Sequence, residues 1–289
     1  MINRTLGALA WLLNRLPRPV ILAAGQVLGG FLYLGMPYRK GVAWNNLARA
    51  LPGRSRRQRR SILFRSYLHF GTIFLDFLRM PRLAGPALDA VLDFNHTHIG
   101  AANRQKRGGL LVGGHLGNWE IAPPAIRQHG YPLSIVVVPQ RGPGGAYLES
   151  VRRASGVAEL PKSASARTMI NALRAGRFLG LAGDQDARSR GIWVNFLGQP
   201  SSRHRGAATF ALRTGAPMLL YTCLLQRDGR YRLNFTPIST AGLPKNQETA
   251  VQILTQRYMD ALEAAILQHP EQYFWFHRMW KTAPPEGPS

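Results

Sequence analysis

A histidine and a glutamate stand five positions apart in the glycine-rich stretch Gly113-Gly114-His115-Leu116-Gly117-Asn118-Trp119-Glu120. On a continuous helix the two side chains would point about 140° apart and would not meet. A turn at Gly117, with a helix beginning near Asn118 as its N-cap, would bring them together. Glu120 would then accept a hydrogen bond from one imidazole nitrogen of His115, leaving the other nitrogen free to take a proton from a hydroxyl.

The same stretch contains no serine or cysteine that could act as a nucleophile. The natural mechanism is therefore direct attack by the hydroxyl of an acceptor, with His115 as the general base. For an isolated pair of this spacing, the alternative is a buried structural histidine beside a helix glutamate. The glycine-rich position between a strand and a helix favours the catalytic interpretation.

From residue 108 onward, short apolar runs alternate with helical ones. This pattern predicts a mixed, largely parallel α/β sheet flanked by helices. In such sheets, active-site residues lie where strands end. Reactive residues follow two of the predicted strands: His115 follows the strand 110–112, and Asp184 and Asp186 follow the strand 178–182. The predicted strands are 110–112, 133–138, 178–182, 218–226 and 231–236, and the predicted helices are 121–128, 146–154, 164–175, 204–214 and 247–269.

The N-terminal region predicts a membrane-associated helical segment. Residues 20–36 carry no charge, but 17 residues reach only about 25 Å, which is slightly short of a hydrocarbon core. The segment either spans the membrane or lies at its interface, and a helical hairpin packed on the domain is the alternative. The pattern over residues 61–80 predicts an amphipathic helix with Ser61 as a candidate N-cap, and its apolar face would rest either on lipid or on the core of the domain.

The charge balance predicts anionic partners, since 37 Lys and Arg face 14 Asp and Glu and the formal net charge is +23. Nucleic acid, an anionic lipid surface and an acidic protein all fit that charge. Residues 1–82 combine 14 Lys or Arg and the single carboxylate Asp76 with long apolar stretches, which favours a membrane over nucleic acid. The one cysteine, Cys223, excludes an internal disulfide and is consistent with a reducing, cytoplasmic location.

These patterns divide the chain into a membrane-anchoring, basic helical region (1–82), an α/β catalytic domain (83–282) and a disordered tail (283–289). If residues 20–36 span the membrane, the basic residues that follow them would hold the catalytic domain on the cytoplasmic side; these are Arg39, Lys40, Arg54, Arg56, Arg57, Arg59 and Arg60.

Four segments in order resemble one family. They are the glycine-rich stretch around His115, the Asn-Leu segment 44–47 followed by Leu51-Pro52, the acidic turn 183–186 and the aromatic C-terminal stretch 273–282. Together they resemble the late acyltransferases of lipid A biosynthesis, of the lauroyl and myristoyl type. These belong to the wider glycerolipid-type acyltransferases that carry a His-x4-Asp or His-x4-Glu motif.

The resemblance implies transfer of a fatty acyl chain from acyl carrier protein to a hydroxyl of a lipid A precursor, at the cytoplasmic face of the inner membrane. It implies no metal and no organic cofactor, although two close carboxylates could also suggest a divalent cation. His115 is expected to be the base and Glu120 its partner. The candidate substrate-binding residues are Asn118, Arg141, Asp184 and Asp186.

Two alternatives remain open at this point. One is an acyltransferase that acts on another lysophospholipid or glycolipid acceptor, and the other is a noncatalytic, basic membrane-binding protein.

Overall fold

The computed structural model describes residues 2–138 and 145–284. Within them, seven strands form one sheet in the order β1-β9-β8-β2-β5-β3-β4, and β6 pairs with β7 in a separate antiparallel hairpin. The strands β8, β2, β5, β3 and β4 are parallel, whereas β9 runs antiparallel to β8. The strands are β1 Leu92–Phe94, β2 Gly109–Gly113, β3 Leu133–Val137, β4 Ala158–Pro161, β5 Phe178–Ala182, β6 Ile192–Phe196, β7 Gln199–Arg203, β8 Met218–Leu225 and β9 Tyr231–Ile238.

Helices cover both faces of this sheet, so the predicted mixed, largely parallel α/β fold is confirmed. One apolar core joins Leu110 and Val112 of the central strand β2 to α9, α10 and α11, and the other joins Leu111 to α6 and α7. The helices are α1 Ile2–Leu13, α2 Arg18–Leu34, α3 Lys40–Ala50, α4 Arg56–Arg79, α5 Pro86–Asp89, α6 Thr97–Arg104, α7 Ala122–Gln128, α8 Gly145–Ala154, α9 Ala166–Arg174, α10 Gly206–Thr214 and α11 Gln247–Gln268.

The N-terminal helices pack closely on one another. A Cβ atom at Gly25 of α2 would lie 2.4 Å from the Cα of Thr72, and one at Gly29 would lie 2.2 Å from the carbonyl oxygen of Tyr67. The glycines of α2 therefore serve a backbone-to-backbone contact with α4. Within the described ranges, no helix combines the length and the apolar character that crossing a membrane requires.

The predicted start of the amphipathic helix at Ser61 is wrong. The helix α4 begins at Arg56, and Ser55 is its N-cap, with the Ser55 hydroxyl accepting from the Gln58 amide and the Gln58 side chain accepting from the Ser55 amide. This reciprocal capping box lies within the arginine run, so four arginines that precede the predicted helix start form the first turns of the helix. The division of the chain at residue 82 stays a prediction.

Candidate active site

The glycine-rich stretch folds into a tight turn after β2. Gly117 has a φ of +64°, and a Cβ atom there would lie 2.0 Å from the carbonyl oxygen of Cys223, so only glycine fits this position. The Asn118 amide nitrogen donates to that same Cys223 oxygen at 2.7 Å. The Asn118 side-chain oxygen accepts from the amide of Ile121 at 3.1 Å, one residue before α7 begins. The predicted turn at Gly117 is thus confirmed. The predicted helix start near Asn118 is wrong, because α7 begins at Ala122 with Ile121 at its N-cap position and no side-chain cap there, and Asn118 instead caps the turn that precedes the helix.

The aromatic C-terminal stretch holds this turn from the other side. The amide of Gly117 donates to the Gln272 carbonyl, and the amide of Phe274 donates to the His115 carbonyl, both at 2.9 Å. The buried Asn46 of α3 in turn donates to the carbonyl oxygens of Trp275 and His277, at 2.7 and 2.6 Å. Segments far apart in the sequence therefore fix the backbone of one histidine.

Asp184 lies against His115. The carboxylate follows β5, the neighbour of β2, and its Oδ1 is 2.9 Å from Nδ1 of His115. Its Oδ2 accepts from the backbone amide of His115 at 2.8 Å and from the hydroxyl of Tyr273 at 3.1 Å. Adjacent parallel strands end at the same edge of a sheet, and this adjacency brings the histidine and the aspartate together.

The pair changes the acidity of both groups. Burial alone lowers the pKa of His115, but the charge and hydrogen bond of Asp184 outweigh burial and hold that pKa above its ordinary value. Burial alone would raise the pKa of Asp184, but His115 keeps that pKa well below its usual range. Asp184 is therefore a carboxylate, and it stabilises an imidazolium on His115.

Glu120 meets Arg152 instead of His115. Nε of Arg152 donates to Oε2 of Glu120 at 2.9 Å, Nη2 of Arg152 donates to Oε1, and the Trp119 indole donates to Oε1 at 3.1 Å. The expected hydrogen bond between Glu120 and His115 is thus wrong, because a bidentate arginine occupies the carboxylate and Asp184 occupies Nδ1 of the histidine. Glu120 still lies close enough for its charge to raise the pKa of His115. Its catalytic role stays a prediction.

The other predicted residues lie in different places. Asp186 accepts from the amides of Arg188, Lys281 and Thr282 and from the Thr282 hydroxyl, so it fastens the end of the described chain to the loop after β5. Asn118 is 1% exposed and lies in the scaffold behind the histidine. Arg141 lies outside the described residues.

A cavity of about 620 Å³ opens beside His115, across the carboxyl ends of β2, β5, β3 and β4. Its wall is mainly apolar and includes Val112, Ile135, Val136, Met169 and Phe210. His115, Glu120 and Arg152 are among its polar lining residues. The described lining residues include no serine, threonine or cysteine. The volume and the apolar wall are those of a site for a small, largely apolar molecule.

Sequence reasoning missed Arg152, Tyr273 and Arg203. Arg152 lies in the predicted helix 146–154, but the local sequence does not indicate which residue its guanidinium meets. Tyr273 lies in the aromatic C-terminal stretch. Arg203, which is fully buried and donates to the Asp184 carbonyl oxygen, carried no local signal because it lies in the strand β7 that the sequence pattern did not predict.

A histidine that is held by a carboxylate and lines an apolar cavity is an arrangement typical of enzymes that use a histidine as general base. The family comparison agrees. The model of the bacterial lipid A biosynthesis acyltransferase family matches residues 5–282, and the chain belongs to that family. It is therefore an acyltransferase.

Individual relatives are similar in sequence to this chain over most of its length. The lipid A biosynthesis lauroyltransferase of Escherichia coli K12 is 28% identical and covers 96% of this chain and 91% of its own length. The lipid A biosynthesis palmitoleoyltransferase of the same organism is 24% identical over 95% of this chain and 89% of its own length. A phosphatidylinositol mannoside acyltransferase of Mycolicibacterium smegmatis is 24% identical over 74% of this chain and 71% of its own length.

Proposed function

We propose that this protein transfers a fatty acyl chain from the thioester of acyl carrier protein to a hydroxyl of a lipid A precursor, with His115 as the general base. The observation that carries the proposal is the His115–Asp184 pair at the mouth of an apolar cavity. The pair supplies the base, and the cavity supplies room for the acyl chain.

In the proposed reaction, Nδ1 of His115 donates to Asp184, and Nε2 takes the proton of the acceptor hydroxyl. The hydroxyl oxygen attacks the thioester carbonyl and forms a new C–O bond. When the tetrahedral intermediate collapses, the C–S bond breaks and the leaving thiolate takes the proton from the imidazolium. Asp184 stabilises that imidazolium while it exists, and the enzyme returns to its starting protonation state.

Arg152 supplies positive charge at the same wall of the cavity. Its guanidinium donates two hydrogen bonds to the Glu120 carboxylate, and both side chains are largely buried. A fixed cation next to the reacting carbonyl would stabilise the negative charge that develops on its oxygen. In this account Glu120 is a positioning residue that acts through Arg152.

Acyl carrier protein as the donor is supported by the charge of this chain. A net charge of +23 on 289 residues would attract an acidic partner, and it would also attract a phosphorylated acceptor.

We also propose that helices α1, α2 and α4 dock on the cytoplasmic leaflet of the inner membrane without crossing it. The face of α2 turned away from α4 leaves Val27 73% and Leu34 79% exposed. Large apolar side chains exposed together mark a surface that contacts something apolar, and Arg39 and Lys40 follow directly to meet lipid phosphates. Further exposed apolar residues are Phe31 of α2, Met36 just after its end, and Trp11 and Leu12 of α1.

Vesicle flotation tests that surface. Leu34→Asp should lower the fraction bound to anionic phospholipid vesicles several-fold, whereas Leu267→Asp, which places the same charge on an exposed leucine of α11, should leave it unchanged. Equal binding by both variants would contradict docking through α2.

A mannosylated glycolipid is the second candidate acceptor. It is suggested by the match between this chain and a phosphatidylinositol mannoside acyltransferase, which extends over 71% of that relative's length. The test is a reconstituted assay with the purified protein, acyl carrier protein loaded with one fatty acid, and a lipid A precursor, a lysophospholipid and a mannosylated glycolipid offered together. Mass spectrometry of the products should show one added acyl group on the lipid A precursor. Acylation of only another lipid would favour the second acceptor class, and no acylated product would contradict the proposed function.

A further inference from the structure

A group of basic side chains at the mouth of the same cavity is not used by the proposed reaction. Lys162 follows β4, Arg190 lies in the loop between β5 and β6, and His204 precedes α10, and all three line the cavity. Nζ of Lys162 lies 3.3 Å from Nε2 of His204. Three different elements thus bring cationic or imidazole groups to one place.

These groups lack a matching anion within the described chain. No ion pair there involves Lys162 or Arg190, whereas the neighbouring Arg205 is paired with Glu248. The two carboxylates whose charges act on His204 already have partners, Asp184 in His115 and Asp186 in backbone amides. Burial, followed by the charges of Lys162 and Arg203, lowers the pKa of His204. Positive groups held together without a counter-charge are typical of a site that receives an anion.

The helix α10 adds to the same positive field. Gly206 and Ala207, in its first turn, line the cavity, and no side chain caps that end of the helix. Amide groups at the start of a helix favour a negatively charged group.

We propose that Lys162, His204 and Arg190 form a phosphate subsite at the mouth of the cavity, which binds a phosphate group of one of the two substrates. The proposal rests on the proposed function, because that function places substrates with phosphates at this cavity. The phosphodiester of the phosphopantetheine arm, which carries the acyl thioester, is one source. The phosphate on the sugar headgroup of the acceptor is the other, and the chemistry of recognition is the same for both.

Calorimetry on the full-length protein tests the subsite without requiring turnover. The probes are two matched pairs: phosphopantetheine against pantetheine, and the delipidated phosphosugar headgroup against the same headgroup after phosphatase treatment. The wild type should bind one phosphorylated probe at least about tenfold more tightly than its unphosphorylated partner. Lys162→Gln and His204→Gln should each remove most of that difference, and Lys162→Arg should keep it.

Lys245→Gln is the matched control, because it removes one exposed lysine charge that does not line the cavity. It should leave the preference for phosphate unchanged, which separates the subsite from an effect of net charge. Lys162 is itself exposed, so its substitution should not unfold the protein.

Loss of the preference for phosphopantetheine would assign the subsite to the donor, and loss of the preference for the phosphosugar would assign it to the acceptor. A wild type that prefers neither phosphorylated probe, or a preference that survives in both Lys162→Gln and His204→Gln, would overturn the subsite. A protein that shows the preference but transfers no acyl group would contradict the proposed function and leave the subsite standing.

Discussion

Replacing Asp184 by asparagine keeps the shape of the side chain and removes its charge, and the surrounding donors decide how the new amide must turn. Oδ2 of Asp184 accepts from the His115 backbone amide and from the Tyr273 hydroxyl, at 2.8 and 3.1 Å. Only the amide oxygen of an asparagine can take that position, because the amide nitrogen does not accept hydrogen bonds. The nitrogen must then take the place of Oδ1, 2.9 Å from Nδ1 of His115, which is nearer than the oxygen at 3.1 Å, and its hydrogens would clash with a proton on Nδ1.

The asparagine would consequently donate to Nδ1 of His115 and hold the proton of the neutral imidazole on Nε2. Nε2 could no longer take a proton from the acceptor hydroxyl. For a histidine base that loses its carboxylate in this way, the expected fall in kcat is about 10³- to 10⁴-fold. The fold should survive, because the asparagine keeps the hydrogen bonds to His115 and Tyr273.

The assay is the initial rate of acyl transfer to the lipid A precursor, measured at saturating donor, together with the thermal unfolding midpoint of each variant. Asp186→Asn is the comparison, since Asp186 anchors the C-terminal segment and does not contact His115; its kcat should fall much less. If the variant Asp184→Asn retains a kcat within about tenfold of the wild type, the asparagine does not hold the imidazole proton on Nε2 and the reasoning is refuted.

Three further predictions test the scaffold and the electrostatics of the site. Gly117→Ala should lower the free energy of unfolding by about 2 kcal/mol or more, whereas Gly53→Ala, at an exposed glycine with open space around it, should change it by less than about 0.5 kcal/mol in urea titrations. The pKa of His115 is raised and a base must be neutral, so kcat/KM should rise with pH through a midpoint above 6.5; a midpoint below 6.5 would contradict the pairing. Arg152→Lys keeps the charge but loses the bidentate contact and should lower kcat/KM about tenfold or more, whereas Arg153→Lys, at an exposed arginine of the same helix, should not.

Local patterns in the sequence were sufficient for the turn that presents the histidine. The apolar run before Gly113 predicted the strand, and the glycines that follow predicted the turn at Gly117, although the helix begins at Ala122 and not near Asn118. Each of these signals concerns residues within a few positions of one another, where backbone geometry alone restricts the structure.

The partner of the histidine could not be predicted in that way. Glu120 was chosen because it is near in sequence, but Asp184 is 69 positions away and meets His115 because β5 is the neighbour of β2 in the sheet. A single sequence indicates where strands end without indicating which strands are adjacent. The pairing of Glu120 with Arg152, 32 positions apart, depends likewise on how α8 packs beside the turn.

The most direct test of the central claim compares lipids extracted from cells that carry the wild type, the His115→Gln variant or no protein. His115→Gln removes the base and retains a polar side chain of similar size beside Asp184. Mass spectrometry should find one additional acyl group on the lipid A fraction only with the wild type, while equal amounts of both proteins are recovered with membranes. The same additional acyl group in cells that carry folded His115→Gln protein would contradict the assignment of His115 as the base.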